Sequence, residues 1–271
     1  MTSGPSTSFA GLGTQQVLAQ AQAAFAASVA RLSSGLRILS AATDPAGLAI
    51  AGQLDQSAAV DGQAAGNVAV GLAAVQTADQ ALGQIGDVNA RLATLATEAS
   101  NGMLTDAERG AVQQELGALT GEIDRIAATT TLGGVQLLQP GSTVTVQAGG
   151  GSGDRIAFQT VDASATGLGL AGADVSTQAG AQAALAATAT AADAIARARS
   201  GFAAVGARLA AAAQTLGAGR EQAIAAAGRI QDTSYAEETG AAARTQTLVA
   251  FAMAALARAN RQQGLLVSRL A

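Results

Sequence analysis

Residues 72–99, LAAVQTADQALGQIGDVNARLATLATEA, carry a long helical pattern in the first half of the chain. Apolar residues recur there at steps of three, four and seven, which places them on one stripe of an α-helix. The stripe comprises Leu72, Val75, Leu82, Ile85, Val88, Leu92, Leu95 and Ala99. The pattern extends back to about residue 46, and a helix of about 54 residues would be about 80 Å long. We therefore predict a helix longer than the diameter of an ordinary small domain.

Stripes of the same kind lie on both sides of this segment. Thr105 followed by Glu108 fits a capping box, and Asp44-Pro45 predicts either a break or a helix cap with proline at the first helical position. The stripe after the capping box comprises Val112, Leu116, Leu119, Ile123 and Ile126, and a later one comprises Leu185, Ala192, Ile195, Phe202, Val205, Leu209 and Leu216. The chain is thus predicted to be mainly α-helical.

Both ends of the chain carry apolar seams with heptad spacing, which is typical of coiled coils. The first seam comprises Leu18, Phe25, Val29, Leu32, Leu36 and Leu39; the last comprises Val249, Met253, Leu256, Asn260, Gln263, Val267 and Leu270. Gly35 is expected to interrupt the first helix at a cost of about 1 kcal/mol relative to alanine. Isolated amphipathic helices gain most of their stability from packing, so each seam needs a partner. From spacing alone, an ordinary core and contacts between subunits are about equally good explanations.

The centre of the chain has a different pattern. Thr143–Gln147 and Arg155–Gln159 alternate with period two, and the glycine-rich run Gly149–Asp154 between them predicts a β-hairpin within residues 142–161. With helices on either side, the simplest arrangement is a long antiparallel helical rod or coiled coil. The hairpin would form a small module at its tip, and both termini would meet at the other end as a second helical layer.

Composition excludes most catalytic chemistry. The 271 residues include no histidine and no cysteine, which leaves no His–Cys zinc site, thiol nucleophile, histidine base or disulfide. Ser33-Ser34-Gly35 has neither a base nor a P-loop lysine, and the run Gly149–Gly153 is better explained as a flexible loop. Solvated helix charges are the simplest interpretation of Asp106, Glu108 and Glu115. We predict no enzyme activity, no cofactor and no metal.

Charge and hydropathy limit the possible partners. A net charge of −4 offers no basic surface for nucleic acid, and no apolar stretch reaches the ~20 residues that span a bilayer. No acid precedes Asp44 and none follows Glu238. A secretory signal is not recognisable either. We predict no nucleic-acid partner and no membrane insertion, and export, if any, by another route.

Three separated motifs resemble those of bacterial flagellins. ARLSSGLRI at 30–38 with DPAGLAIA at 44–51 is similar to the N-terminal signature, and RIQDTSYAEE at 229–238 is similar to the C-terminal one. EIDRI at 122–126 with GVQLL at 134–138 resembles a third family stretch. The residues that carry the signatures are Arg31, Ser33, Gly35, Arg37, Asp44, Gly47, Arg125, Arg229, Asp232 and Tyr235. The resemblance covers essentially the whole chain.

The resemblance implies a subunit of the flagellar filament. Residues 1–43 and 229–271 would form an inner coiled-coil domain, and 44–228 a rod domain of a minimal flagellin without large outer domains. The implied location is outside the cell, after export through the flagellar secretion channel without a cleavable signal peptide. Implied partners are further copies of the chain, an export chaperone on the C-terminal helix, and the filament cap and junction proteins. Candidate subunit contacts are Phe25, Val29, Leu32, Leu36, Leu39, Val249, Met253, Leu256, Val267 and Leu270.

Flagellins are also recognised by an innate-immune receptor through a patch on the long first helix of the rod. Arg91 and Leu95 match that patch, whereas Glu98 replaces its glutamine, so we expect weak or absent recognition. Alternative functions are a hook–filament junction protein of the same superfamily and an amphipathic lipid-surface protein. The second is disfavoured because such helices usually carry many basic residues on the polar face, and the terminal segments here are sparsely charged.

Overall fold

The computed structural model describes residues 4–270, and the side-chain surroundings of residues 12–262; within this part the chain is mainly α-helical. The helices are α1 (Gly4–Ser34), α2 (Pro45–Ala99), α3 (Asp106–Thr129), α4 (Gln178–Gln231) and α5 (Tyr235–Leu270). The strands are β1 (Thr131–Leu132), β2 (Val135–Gln136), β3 (Thr143–Gln147) and β4 (Arg155–Gln159). The predicted fold class, mainly α with a small β-hairpin, is confirmed.

Local capping residues determine where two of the helices begin. Asp44 Oδ1 accepts from the Gly47 N–H at 2.8 Å, and Pro45 is the first residue of α2, so this dipeptide is a cap and not merely a break. At α3 the predicted capping box is present: Thr105 Oγ1 accepts from the Glu108 N–H at 3.3 Å, and Glu108 Oε2 accepts from the Thr105 N–H at 2.8 Å. The hydrogen bonds from Thr105 lower the pKa of the Glu108 carboxyl.

The strands form two antiparallel pairs. β3 and β4 pair with Val144 opposite Phe158 and Val146 opposite Ile156, which confirms the predicted hairpin. β1 and β2 form a second, shorter pair that the sequence analysis did not predict. Its two-residue turn is Gly133-Gly134, with φ of 58° and 82°. Tight hairpin turns with positive φ at both central residues favour glycine there.

The chain forms two compact units. The terminal unit contains the described residues of Met1–Gln56 and Gln222–Ala271, and the central unit contains Ser57–Glu221. The predicted domain boundaries at 43/44 and 228/229 stay a prediction.

Large apolar side chains fill the core of the central unit. Those that are fully buried include Leu82, Ile85, Leu92, Leu95, Ile123, Leu137, Leu138, Leu170 and Leu209. One buried charged side chain of this unit is satisfied by backbone groups: Arg109 donates to the carbonyls of Ala99 and Leu104. Cations are favourable at the C-terminal end of a helix, so Arg109 both fills space and caps α2.

Candidate assembly surface

The terminal helices α1 and α5 pack against each other in antiparallel orientation. Near the C-terminal end of α1, Arg31 Nη2 lies 3.1 Å from Glu238 Oε1 at the start of α5. Toward the other end of α1, Val17 lines the same groove as Leu248 and Phe251 of α5. The two seams predicted to need partners therefore meet within one chain.

Small side chains occupy the closest positions of this seam. Ala21 and Ser28 of α1 and Ala252 of α5 are buried, whereas the larger residues around them are only half-buried. The half-buried positions with the same three- and four-residue spacing are Leu18, Phe25 and Leu32 on α1, and Thr245, Val249 and Leu256 on α5. Much of the apolar surface of the pair therefore remains partly accessible.

The predicted subunit-contact residues fall into two groups on these helices. Phe25, Leu32, Val249 and Leu256 lie in the seam within the chain. Val29 and Met253 are 45% and 51% exposed, because the neighbouring small residues Ser28 and Ala252 take the inward positions. The side chains of Val267 and Leu270 lie outside the described residues. Whether any of these residues contacts another subunit stays a prediction.

The end of α1 corrects one expectation. Helix α1 ends at Ser34 because Gly35 adopts φ of 74°, and the Gly35 N–H donates to the Arg31 carbonyl at 2.9 Å. The prediction that one helical seam continues through Leu36 to Leu39 is wrong. Gly35 ends the helix, as glycine in the left-handed conformation commonly does, rather than interrupting it.

The N-terminal and C-terminal signature motifs meet just beyond this end. Arg37 donates from its backbone N–H and from its guanidinium, both at 2.6 Å, to the last two carbonyls of α4. The Thr233 N–H donates to the Gly35 carbonyl at 2.9 Å, and Leu36 forms an isolated β-bridge with Asp232. These contacts tie two segments that are almost two hundred residues apart in the chain.

Three further signature residues lie near this junction. Tyr235 donates its hydroxyl to the Leu32 carbonyl at 3.2 Å, and Arg229 donates to the carbonyl of Ala225 at 3.2 Å. A Cβ at Gly47 would collide with the side chain of the helix cap Asp44. Tyr235 and Gly47 shape the connections between helices, whereas the Arg229 contact lies within one turn of α4.

The remaining signature residues make local contacts. Ser33 donates to the Ala30 carbonyl at 2.9 Å. In the central unit, Arg125 pairs with Glu122 of the same helix. Neither contact links distant parts of the chain.

A polar cluster lies within the α1–α5 seam. It consists of Ser28, which is 2% exposed, with Arg31 and Glu238, whose side chains are 28% and 14% exposed. The hydrogen bond from Ser28 lowers the pKa of the Glu238 carboxyl, and the charge of Arg31 adds to this effect while desolvation opposes it. Seams rich in alanine offer few distinguishing contacts, so this cluster is the most specific feature of the helix pair.

The three residues of the predicted receptor-like patch do not form one exposed surface. Arg91 pairs with Glu115 of α3 at 2.7 Å and Glu98 is exposed, but Leu95 is only 1% exposed. Weak recognition by the innate receptor stays a prediction.

Exposed apolar side chains are concentrated in the terminal unit. Eleven of the fifteen large apolar or aromatic side chains that are exposed in the described part belong to it, so this unit carries the candidate assembly surface. They are Leu12, Val17, Val29, Leu39, Leu48, Ile50, Ile224, Tyr235, Leu248, Phe251 and Met253. Contiguous exposed apolar surface commonly marks an interaction site.

Phe251 is the residue that the sequence analysis missed. Its side chain is 69% exposed, and it lines a groove of about 400 Å³ together with Val17 and Leu248. The spacing from Leu248 to Phe251 to Ala255 is itself three and four, one position away from the inner seam. A search for two adjacent stripes on α5 would have found it.

The part of the chain that the structure describes contains neither a candidate membrane span nor a candidate metal site. Within residues 4–270, no helix combines the length and hydropathy of a membrane span. No set of three or more acidic side chains there is arranged to bind a metal ion.

Two family models match the chain. The model of the bacterial flagellin N-terminal helical region matches residues 6–143, and that of the bacterial flagellin C-terminal helical region matches residues 185–270.

Individual relatives agree with these matches. A flagellin of Salmonella muenchen is 35% identical over 157 residues, which cover 58% of this chain and 31% of that protein. A flagellin of Escherichia coli O127:H6 is 34% identical over 60% of this chain and 30% of its own length. Each match thus covers about a third of the curated relative. The crystal structure of Bacillus cereus flagellin is similar with a TM-score of 0.51 and 25% identity, over 56% of this chain and 88% of that one.

The matches and the junction geometry lead to the same assignment. The N-terminal model alone spans just over half of the chain, and the segments that carry the two terminal signatures are joined in the structure. The chain belongs to the bacterial flagellin family.

Proposed function

We propose that this chain is a structural subunit that polymerises into the bacterial flagellar filament and serves swimming motility. Flagellins are structural proteins and not enzymes. The observation that carries the proposal is the apolar surface of the terminal unit, above all the groove around Phe251. Leaving a phenylalanine and a leucine side chain in water costs about 1.5–3 kcal/mol each relative to burial, and a second copy of the chain would bury them.

The distribution of the exposed apolar residues supports a polymer. An open helical filament requires that one surface of a subunit contact a different surface of the next, so that the contact repeats without closing. The exposed apolar residues lie on both the terminal helices and the junction segments, which provides two separate surfaces. Residues Val29, Leu39 and Met253 are candidates for these contacts because they are exposed, while Phe25, Leu32, Val249 and Leu256 would support them from the seam.

Location and further partners follow from the same proposal. The filament lies outside the cell, and the chain would reach it through the flagellar secretion channel without a cleavable signal peptide. An export chaperone would bind the C-terminal helix, and cap and junction proteins would contact the ends of the filament.

The experiment replaces the two most exposed large apolar side chains of the groove. Leu248→Ser with Phe251→Ser should abolish filament growth from seeds, because two buried side chains of this size correspond to more than about tenfold in a contact equilibrium. Pelleted protein and electron microscopy measure filament growth, and circular dichroism measures the helix content. The matched control is Met103→Ser in the central unit, since Met103 is 87% exposed and lies outside the terminal helices.

Two outcomes would contradict these expectations. If the double variant grows filaments as fast as Met103→Ser and the wild type, the groove around Phe251 is not an assembly surface. If the wild type itself never pellets from seeded solutions at any concentration or salt, the proposed function is wrong.

A further inference from the structure

The turn between α2 and α3 contains the dipeptide Asn101-Gly102, which no step of the proposed assembly uses. An asparagine side chain can lose its amide without an enzyme when the backbone nitrogen of the next residue attacks the side-chain carbonyl carbon. Glycine in the next position favours this attack, because it has no side chain to obstruct the nitrogen and its backbone bends freely. Asparagine is accordingly one of the thermolabile residues. The turn thus places an electrophile and a nucleophile in adjacent residues.

Both reacting groups of this dipeptide are free to react. Asn101 and Gly102 are exposed. In the part of the chain that the structure describes, neither the Gly102 N–H nor the side-chain amide nitrogen of Asn101 forms a hydrogen bond. The attacking nitrogen therefore gives up no hydrogen bond of the fold, and no hydrogen bond holds the nitrogen that leaves.

A hydrogen bond within the turn also favours the reaction. Asn101 Oδ1 accepts from the Met103 N–H at 3.1 Å. Negative charge develops on this oxygen when the Gly102 nitrogen adds to the carbonyl carbon, and a donor that already points at the oxygen stabilises such charge. The Leu104 N–H donates to the Asn101 backbone carbonyl at 3.3 Å. The turn thus directs the side-chain carbonyl to the backbone that follows it, and orientation of this kind is what an intramolecular reaction requires.

The other three asparagines of the chain lie in a different environment. Asn67 and Asn89 lie within α2, and Asn260 lies within α5. Inside a helix, the N–H of the following residue is bonded to the carbonyl four residues before it. The following residues are valine, alanine and arginine, all of which carry a side chain. These three asparagines are therefore internal controls in the same molecule.

We propose that Asn101 is a site of spontaneous deamidation. The Gly102 nitrogen forms a bond to the side-chain carbonyl carbon of Asn101 and gives up its proton, the bond from that carbon to the amide nitrogen breaks, and ammonia leaves with the proton. Water then opens the resulting cyclic imide at either carbonyl and yields aspartate or isoaspartate. One water is consumed and one ammonia is released, with no oxidant or reductant. The reaction needs no second copy of the chain, so it does not rest on the proposed function.

The structure indicates what the modification does. Either product places a new negative charge at the C-terminal end of α2, where the helix dipole disfavours an anion. Isoaspartate also lengthens the backbone by one carbon before Gly102, which changes the geometry of the turn. Arg109 spans this turn, because its guanidinium donates to the carbonyls of Ala99 and Leu104 on either side of it. Deamidation should therefore loosen the connection that Arg109 holds.

The test follows each asparagine in the folded full-length chain. The protein is incubated at mildly alkaline pH, circular dichroism verifies that it stays folded, and peptide mapping by mass spectrometry measures the replacement of the amide by a carboxyl group. Asn101 should convert at least about a hundredfold faster than Asn67, Asn89 or Asn260, since helical backbone holds the attacking nitrogen out of position. If Asn101 converts no faster than these three, the proposed site is wrong.

Gly102→Ala tests the chemistry without disturbing the fold. Gly102 does not have a positive φ, and an added Cβ would have Gln178 Nε2 as its nearest neighbour, at 3.6 Å. This variant should slow the conversion of Asn101 at least about tenfold, because the methyl group obstructs the attacking nitrogen. Gly121→Ala, in α3, is the matched control and should convert at the wild-type rate. If Gly102→Ala converts as fast as Gly121→Ala, the backbone nitrogen is not the nucleophile and the proposal fails.

Asn101→Asp tests the consequence, since it reproduces one of the two products. Peptides that cover residues 97–110 should exchange their amide hydrogens about two- to fivefold faster in this variant than in the wild type, because the new charge lies at the unfavourable end of α2. Asn260→Asp, which adds the same charge within α5, should leave the exchange of these peptides unchanged. If Asn101→Asp exchanges like the wild type, deamidation does not loosen the turn.

Discussion

Individual residues give the α1–α5 pair its specificity. Ala21 and Ala252 are buried in the seam. If one helix shifted along the other, however, another alanine could take the same place, so these residues do not fix the register of the pair. A shift of this kind would separate the polar cluster of Ser28, Arg31 and Glu238, because the cluster brings a hydroxyl, a guanidinium and a carboxylate together at one level of the seam. A single polar contact in a coiled-coil seam is known to specify register.

The carboxyl of Glu238 makes the helix pair sensitive to acid. Its pKa is lowered from the ordinary value of 4.5, chiefly by the hydrogen bond from Ser28. Because the folded pKa lies below the unfolded one, the stabilisation is present above about pH 4.5 and is lost as pH falls through the folded pKa. We expect Glu238→Gln to remove this part of the pH dependence, and Ser28→Ala to shift the transition to higher pH.

The measurement is helix content against pH, combined with amide exchange of α1 and α5. Glu237→Gln is the matched control, since Glu237 is the adjacent acid and is exposed. An acid transition that is the same in Glu238→Gln as in Glu237→Gln would show that this carboxyl does not stabilise the pair.

The sequence did not show which of two neighbouring residues on a helix faces into the seam. The predicted seams contain Val29 and Met253, whereas the structure places Ser28 and Ala252 inward. Successive residues on a helix point 100° apart, and a rule that favours large apolar residues misplaces the seam where close packing needs small ones. Packing against the partner helix determines which residues face into the seam, and the hydrophobicity of single residues does not encode that packing.

At the scale of the element, the ends of helices were predictable where the signal is local. Thr105 with Glu108 and Asp44 with Pro45 act through neighbouring backbone groups, so their motifs alone predicted the caps. Gly35 carried a helix-stop signal too, but the seam that continued beyond it suggested a longer helix. Gly133-Gly134 likewise favours a tight hairpin turn, although strands of two residues each have no periodicity to detect.

The end of α1 can be tested through Gly35. An added Cβ would meet only the Tyr235 hydroxyl, at 3.8 Å, so the cost of Gly35→Ala comes from the positive φ and amounts to about 1–2 kcal/mol. We expect the free energy of unfolding of the terminal unit to fall by that amount in urea denaturation. Gly121→Ala is the control: it lies within α3 with open space around its Cβ, and alanine there should stabilise by up to about 1 kcal/mol. Equal effects of the same sign would refute the helix-stop role.

At the scale of the whole molecule, the two units differ in what is buried. The large side chains that are fully buried belong to the central unit, and the seam of the terminal unit buries mainly alanine and serine. Burial of apolar area is the dominant favourable term in folding. The long apolar stripe of residues 72–99 predicted the central core well, because Leu82, Ile85, Leu92 and Leu95 are all fully buried.

Amide exchange should reveal this difference in a monomeric sample. We expect peptides from residues 12–34 and 235–262 to exchange at least about a hundredfold faster than peptides from residues 78–96, because local opening exposes little apolar area there. Mass spectrometry measures the exchange, and peptides from 235–262 should become protected on assembly. Similar exchange in both units of the monomer would contradict the uneven distribution of the core.

The hydrogen bonds from Arg37 to the carbonyls of Ile230 and Gln231, at the end of α4, join residues 193 and 194 positions apart, and α5 begins shortly after that point. Translation proceeds from the N-terminus, so α1 emerges from the ribosome long before its partner is made. A truncated product that stops before residue 235 therefore has neither the helix pair nor Phe251. If assembly uses the groove around Phe251, as we propose, such fragments cannot join a filament or block its growth, and only copies that include α5 are incorporated.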